Sequence, residues 1–283
     1  MPVRYELVGL PNRHFHPHGM KVLHDQGDDS KLQLFFVNHG IRDSIDVFDV
    51  CGPHAGLRCG HVLRLTLCTM QVDVEGRRAV FLRSYTDPLL GTGTVNNVAI
   101  ADNGEDMYVT NWLRYPTGTL GNWFEVFGQR KWGTVVHCKL QPSFVCRLVE
   151  DALRFPNGLM LSADNRQLFV ATHVTLRVYT RSTADGSLSF SHDIPLPTAA
   201  ADNVDVHPSG DVTIGAHPNV FMFIAHAKCE SPPPPLCALS CRDGWPHVCF
   251  LHSVHDPRPV AGHSREALRS GECRISTGLQ AVV

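Results

Sequence analysis

One unit recurs four times along the chain, and a repeat of this kind limits the architecture before any single residue is weighed. The copies are HPHGMKVLHDQGDDSKLQLFFVNHG (16–40), VNNVAIADNGEDMYVTN (95–111), FPNGLMLSADNRQLFVATH (155–173) and ADNVDVHPSGDVTIGAHP (201–218). Each opens on a polar residue, passes through a short apolar alternation, turns on Asp, Asn or Gly, and returns through a second apolar run. Alternation such as Val98, Ile100 or Val204, Val206 has the period of a strand, and Asn-Gly or Ser-Gly supplies the positive φ of a tight turn, so the unit is a hairpin. Hairpins recurring at roughly 45 to 80 residues, with no long amphipathic helix between them, predict propeller blades rather than a tighter-spaced solenoid. Further strands are expected at 45–49, 79–83, 134–138 and 175–180. Segment 118–132, with Trp123, Phe124, Phe127 and Trp132, predicts a short amphipathic helix over one end of the blades.

The polar residues that open the repeats are His18, Asn96 with Asn97, Asn157, and Asp202 with Asn203. If each begins the innermost strand of its blade, all four positions converge on the central tunnel. Amide and carboxylate oxygens gathered there would surround one hard cation, and oxygen ligands without thiolates favour Ca²⁺ over zinc. The same residue types also cap strand ends without any ligand; it is their recurrence in register that favours the metal.

Composition excludes several functions. At 283 residues and 43% hydrophobic content the chain can bury a full core in one domain. A net charge of −2 leaves no basic face for a phosphate backbone, so nucleic acid is not an expected partner. No apolar run reaches the roughly 18 to 20 residues of a membrane span, and the start of the chain lacks the regions of a signal peptide. The ten cysteines form no compact disulfide framework, and no Asn-x-Ser/Thr sequon marks a secreted surface.

The repeats resemble the paraoxonase/arylesterase family of calcium-dependent lactonases and esterases, all-β proteins of the six-bladed β-propeller class. FHPHG resembles the family's (H/N)PHG motif, which implies His18 as the catalytic histidine and the Met20 main-chain carbonyl as a ligand of a structural calcium. LFFVNHG resembles the strand of the dyad's second histidine, His39. TVNNVAIA stands where the family has Asn-Asp, implying Asn96 as a ligand of the catalytic calcium and Asn97 at the structural one. FPNGLMLS and ADNVDVHP resemble the segments that supply Asn157, Asp202 and Asn203 to the catalytic calcium, and GAHPN resembles a motif that lines the substrate pocket with His217, here with Ala216 in place of a cysteine. The resemblance implies two Ca²⁺ per chain, hydrolysis of aryl esters and lactones, association with a lipid or membrane surface, and an extracellular or membrane-associated location.

Departures from that family set further expectations. The chain is expected to be an incomplete copy, covering about four blades over residues 1–240 and starting after the family's hydrophobic leader and first-blade Glu-Asp pair. Residues 51–70 match nothing in the family, and 241–283 form an unmatched tail expected to be disordered. Cys237, Cys241, His247, Cys249 and His252 in that region fit no standard zinc spacing. Two other functions stay open: a catalytically inactive propeller that binds only ions or partners, and a six-bladed hydrolase of the gluconolactonase or strictosidine-synthase kind. No Gly-x-Ser-x-Gly elbow supports a serine hydrolase.

Overall fold

The computed structural model describes residues 6–10, 15–25, 28–39, 43–51, 78–91, 93–196, 200–207, 209–217, 237–241 and 249–253. The chain divides into two compact units, Met1–Pro156 with Thr183–Ser187, and Asn157–Ser182 with Leu188–Val283. In the first unit, β1 (Glu6–Val8), β2 (Pro17–Asp25), β3 (Asp28–His39), β4 (Asp43–Cys51) and β5 (Arg78–Tyr85) make one sheet in the order β1-β5-β4-β3-β2. β6 (Val95–Ile100), β7 (Asp106–Asn111), β8 (Gly133–Lys139) and β9 (Val145–Leu153) make the next, with α1 (Leu120–Phe127) between β7 and β8. The second unit holds β10 (Leu159–Leu161), β11 (Gln167–Ala171), β12 (Thr175–Arg181) and β13 (Leu188–Pro195) in one sheet. Its other sheet is β14 (Ala201–Val206), β15 (Val212–Ala216), β16 (Cys237–Cys241) and β17 (Cys249–Ser253).

The fold is all-β, and each sheet is an antiparallel meander of sequential strands; the one exception among the described pairs is β1, which runs parallel to β5. The four sequence repeats form the hairpins β2–β3, β6–β7, β10–β11 and β14–β15, one at the start of each meander. Within each unit the first meander strand of one sheet lies against that of the other, β2 on β6 and β10 on β14. In the β6–β9 sheet burial falls outward: β6 and β7 are buried at every position, whereas the fourth strand β9 is mostly exposed. Short meandering sheets of this kind suit propeller blades. The first unit's core gathers Phe35, Val37, Ile45, Val98, Val109 and Val136, and the second's Phe169, Val178, Ile194, Val204 and Ile214. Each such side chain contributes about 1.5–3 kcal/mol of burial.

Three inner hairpins turn alike. Gly104, Asn165 and Gly210 adopt positive φ of 68°, 58° and 85°. Each donates its N–H three residues back, to Ala101, Ser162 and His207 at 2.8, 2.9 and 2.8 Å. Asn165 shows that the third copy meets the φ requirement without glycine, as a short amide side chain can.

Four features refine the sequence expectations. The predicted helix forms, capped by Thr119, whose hydroxyl accepts from Asn122 N–H at 3.2 Å. Its aromatic face does not cover the blades: Trp123, Phe124 and Phe127 are 56%, 71% and 69% exposed. The helix is held instead by its buried Glu125, whose carboxylate accepts from the backbone N–H groups of Arg114 at 2.9 Å and Tyr115 at 3.2 Å. Cys138 and Cys146, register partners on β8 and β9, form a disulfide; the other cysteine side chains lie outside the described residues. Within the segment 241–283 expected to be disordered, β17 is the fourth strand of its sheet, paired from Cys249 to Ser253 with β16. Its sequence CFLHS lacks the alternation that flags an inner strand, because an outer strand needs only partial burial. The rest of that tail, and residues 52–70 of the unmatched insertion, lie outside the described residues.

A buried charge network ties β7, β8 and β9 together. His137 Nε2 lies 2.7 Å from Asp106 Oδ1, and Arg147 Nε donates to His137 Nδ1 at 3.2 Å, so the ring is neutral with its proton on Nε2. Burial pushes His137 below its ordinary value of 6.5; the Asp106 carboxylate opposes this, and the cations Arg147 and Lys139 add to it. As pH falls through about 6.5 the unfolded chain takes up a proton that the folded ring refuses, so stability from this group is full above that range and lost below it. Denaturant midpoints measured from pH 7 down to pH 5 are expected to fall, and to fall less steeply in His137→Gln.

Candidate functional site

Two glycines bring the polar residues of neighbouring sheets together. In the first unit, Gly19 on β2 abuts β6 so closely that a Cβ there would lie 2.5 Å from the Asn96 carbonyl oxygen and 2.8 Å from Asn97 Cα. In the second unit, a Cβ on Gly158 would lie 2.6 Å from Asn203 Cα and from the Asp202 carbonyl oxygen. The Gly158 N–H donates to that carbonyl at 3.1 Å. Both glycines end a Pro-x-Gly triplet whose middle residue, His18 or Asn157, is a candidate site residue. The triplet thus sets each candidate residue beside the polar pair that opens the next repeat.

In the first unit the two histidines meet: His18 Nδ1 lies 2.9 Å from His39 Nε2, the rings edge to face with centroids 5.2 Å apart. The contact is held from behind. His39 N–H donates to the His16 carbonyl at 3.0 Å, and His16 N–H donates to Asn38 Oδ1 at 2.7 Å. Asn38 Nδ2 donates to Asp46 Oδ2 at 2.8 Å, and Asp46 Oδ1 accepts from the hydroxyls of Ser44 and Ser84. This buried network clamps the start of β2 to the end of β3 and fixes the spacing of the two rings. His39 Nδ1 in turn lies 3.0 Å from Asp43 Oδ1, its register partner on β4. The other Asp43 oxygen accepts from Thr94 N–H at 2.9 Å and Val95 N–H at 3.0 Å, at the start of β6. Burial alone would raise the Asp43 carboxyl, but the hydrogen bonds from His39 and the nearby backbone N–H groups outweigh it and hold it below the ordinary carboxylate range. Sequence reasoning missed Asp43 and Asp46, which lie just before and within the strand expected at 45–49.

Asn96 is buried on β6, and its side-chain Oδ1 meets no hydrogen-bond donor among the described residues. A buried carbonyl in that state costs about 1–3 kcal/mol unless a donor or a cation takes it up. An oxygen so placed fits a calcium ligand. Asn97 is engaged locally: its Oδ1 accepts from Val98 N–H at 2.7 Å, and its own N–H donates to Thr110 Oγ1 at 3.1 Å. Met20 follows Gly19 on β2 with its side chain exposed.

In the second unit, Asn157 precedes β10, its N–H donating to the Ala171 carbonyl at 2.8 Å, and through Gly158 it stands beside Asp202 and Asn203 on β14. His217 Nε2 lies 2.8 Å from Asp202 Oδ2, so the candidate pocket histidine and a candidate ligand share a hydrogen bond. Among the described residues no group of three or more His, Cys, Asp or Glu is placed to hold a metal ion, so a cation here would depend on amide and main-chain oxygens together with the Asp202 carboxylate.

An all-β chain of blade-like meanders carrying paired histidines and amide oxygens on its inner strands defines the class. The family model described as Arylesterase matches residues 69–239, more than half of the 283-residue chain, and the chain belongs to that family. Asn96, Asn97, Asn157, Asp202, Asn203 and His217 lie inside the matched span; His18, Met20 and His39 precede it. The chain is 27% identical over 222 residues to serum paraoxonase/arylesterase 1 of Rattus norvegicus, covering 77% of this chain and 53% of that one. It is 25% identical over 208 residues to serum paraoxonase/arylesterase 2 of Bos taurus, covering 72% and 50%. It therefore spans about half the length of the curated relatives it matches. Among solved structures, a gluconolactonase from Xanthomonas campestris aligns at TM-score 0.43 and 16% identity, over 77% of this chain and 57% of that one.

The close approach at the two glycines generates a prediction. Gly19→Ala and Gly158→Ala each force backbone apart and should destabilise the protein by about 1–3 kcal/mol, as overpacking does. Denaturant unfolding checks this, with Gly215→Ala, whose nearest backbone atom is 3.9 Å away, as the benign control.

Proposed function

We propose that this chain carries the site of a calcium-dependent hydrolase of aryl esters and lactones, with His18 as general base and His39 as its partner. The observation that carries the reading is the 2.9 Å contact between His18 Nδ1 and His39 Nε2 in a chain of the arylesterase family. In the first unit the residue that would hold calcium is Asn96, whose buried oxygen lacks a donor among the described residues, with Asn97 and the Met20 carbonyl carried over by resemblance to a structural calcium. In the second unit the donors are Asn157, Asp202 and Asn203. Calcium, when bound, polarises the ester carbonyl and offsets charge developing on its oxygen.

The chain's own residues supply the proton transfers. His18 takes a proton from water as the water oxygen attacks the ester carbonyl carbon, a role that suits an imidazole because it titrates near neutrality. The bond from carbon to the alkoxy or aryloxy oxygen breaks, and the proton returns to that leaving oxygen. His39 orients the His18 ring and shares its proton through the Nδ1 to Nε2 hydrogen bond. His217, hydrogen-bonded to Asp202, lines the substrate pocket in this reading. The exposed Leu120, Trp123, Phe124 and Phe127 of α1 offer aromatic and apolar surface to a lipid interface, and the Cys138–Cys146 disulfide suits an extracellular or membrane-associated location.

Turnover of phenyl acetate or of a lactone is the test. Chelation of calcium is expected to abolish the rate, and His18→Gln to lower it by about 10²–10⁴-fold, the usual worth of a general base. A rate that survives both would overturn the assignment, and calcium binding without any turnover would leave the non-catalytic alternative.

A further inference from the structure

We propose that Asp43 is a positioning residue that sets the tautomers of both histidines, so that the nitrogen of His18 turned away from His39 is the one able to accept a proton. The proposal deepens the hydrolase reading and rests on it for its consequence in catalysis, but its structural part stands alone.

Donors and acceptors along the chain of contacts leave one arrangement. Asp43 Oδ2 accepts from two backbone N–H groups, Thr94 and Val95, which can only donate. The carboxylate is 2% exposed and faces His39 Nδ1 at 3.0 Å with its other oxygen. An ionised carboxylate only accepts, so His39 carries its proton on Nδ1. A neutral ring has one proton, and His39 Nε2 is therefore an acceptor. His18 Nδ1, 2.9 Å away, must then be the donor, and the lone pair of the neutral His18 ring sits on Nε2. Three side chains on β2, β3 and β4 thus pass a single instruction from a pair of backbone amides at the start of β6 to the reacting nitrogen. When His18 takes a proton, the positive charge is shared through His39 toward a buried carboxylate, which needs no rearrangement to receive it.

The isosteric variant Asp43→Asn separates this from a merely structural role. With the Thr94 and Val95 N–H groups on one oxygen, the Gly93 N–H also near the carboxylate and the His39 ring on the other oxygen, the amide is expected to turn its oxygen to the backbone donors and its NH₂ to His39. His39 then accepts at Nδ1 and carries its proton on Nε2, His18 accepts at Nδ1, and the His18 proton moves to the nitrogen that has to be the base. The packing and the cross-link to β6 are kept.

The experiment is ¹⁵N correlation NMR of the imidazole rings in the calcium-free full chain, at a pH where the rings are neutral, with steady-state kinetics measured separately on the calcium-supplied full chain. In the wild type, His39 is expected as the Nδ1–H tautomer and His18 as the Nδ1–H tautomer. In Asp43→Asn both are expected to switch to Nε2–H, with kcat falling about 10²–10⁴-fold and KM changing little. His39 found as Nε2–H in the wild type would overturn the proposal even if the variant failed to fold. Unchanged tautomers in a folded variant would overturn it equally. A wild type with the expected tautomers and no ester turnover would sink the hydrolase reading while leaving the role of Asp43 in ring geometry supported.

Discussion

Backbone-to-backbone contact at two glycines is the constraint from which the rest of the site follows. Propeller-type sheets fan outward, and side chains on the first strands ordinarily keep neighbouring backbones apart. At Gly19 and Gly158 there is no Cβ to do so, and β2 closes on β6 in one unit while the β10 segment closes on β14 in the other. The polar residues of the inner strands are placed by that approach. His18 and Asn157 stand one residue before the contact, while Asn96, Asn97, Asp202 and Asn203 stand at it. The price is burial of amide groups in an apolar setting, which is why Asn96 holds an oxygen with no donor among the described residues.

The fold was readable because its inner hairpins show period-two alternation in sequence and, in the three whose turns are described, a positive-φ turn. Those signals located β2–β3, β6–β7, β10–β11 and β14–β15, and the outer strands β4, β5, β8 and β12. They did not locate β17, since an outer strand is held by main-chain pairing, which carries no residue code. The helix was legible as amphipathic but not in its orientation. Hydrophobicity predicts aromatics turned inward, whereas the position is decided by one carboxylate satisfying backbone N–H groups of the loop after β7.

Of the candidate site, the two histidines were legible through motifs alone, and their facing ring nitrogens lie 2.9 Å apart. Asp43 was not, because its importance depends on contacts with Thr94 and Val95, which lie 51 and 52 positions further along the chain. Long-range partners of this kind leave no spacing signature. Asp46 was hidden for the same reason, reaching Ser84 across the sheet.

The anchoring of α1 separates two tasks that helices usually combine. A helix that docks by its apolar stripe cannot change that stripe without loosening its seat. Here the seat is Glu125, and the outward residues Leu120, Trp123, Phe124 and Phe127 contribute little to holding it. The outer face can therefore drift in sequence, from aromatic to charged, while the scaffold beneath stays the same, so surface preference and sheet framework can evolve along independent paths.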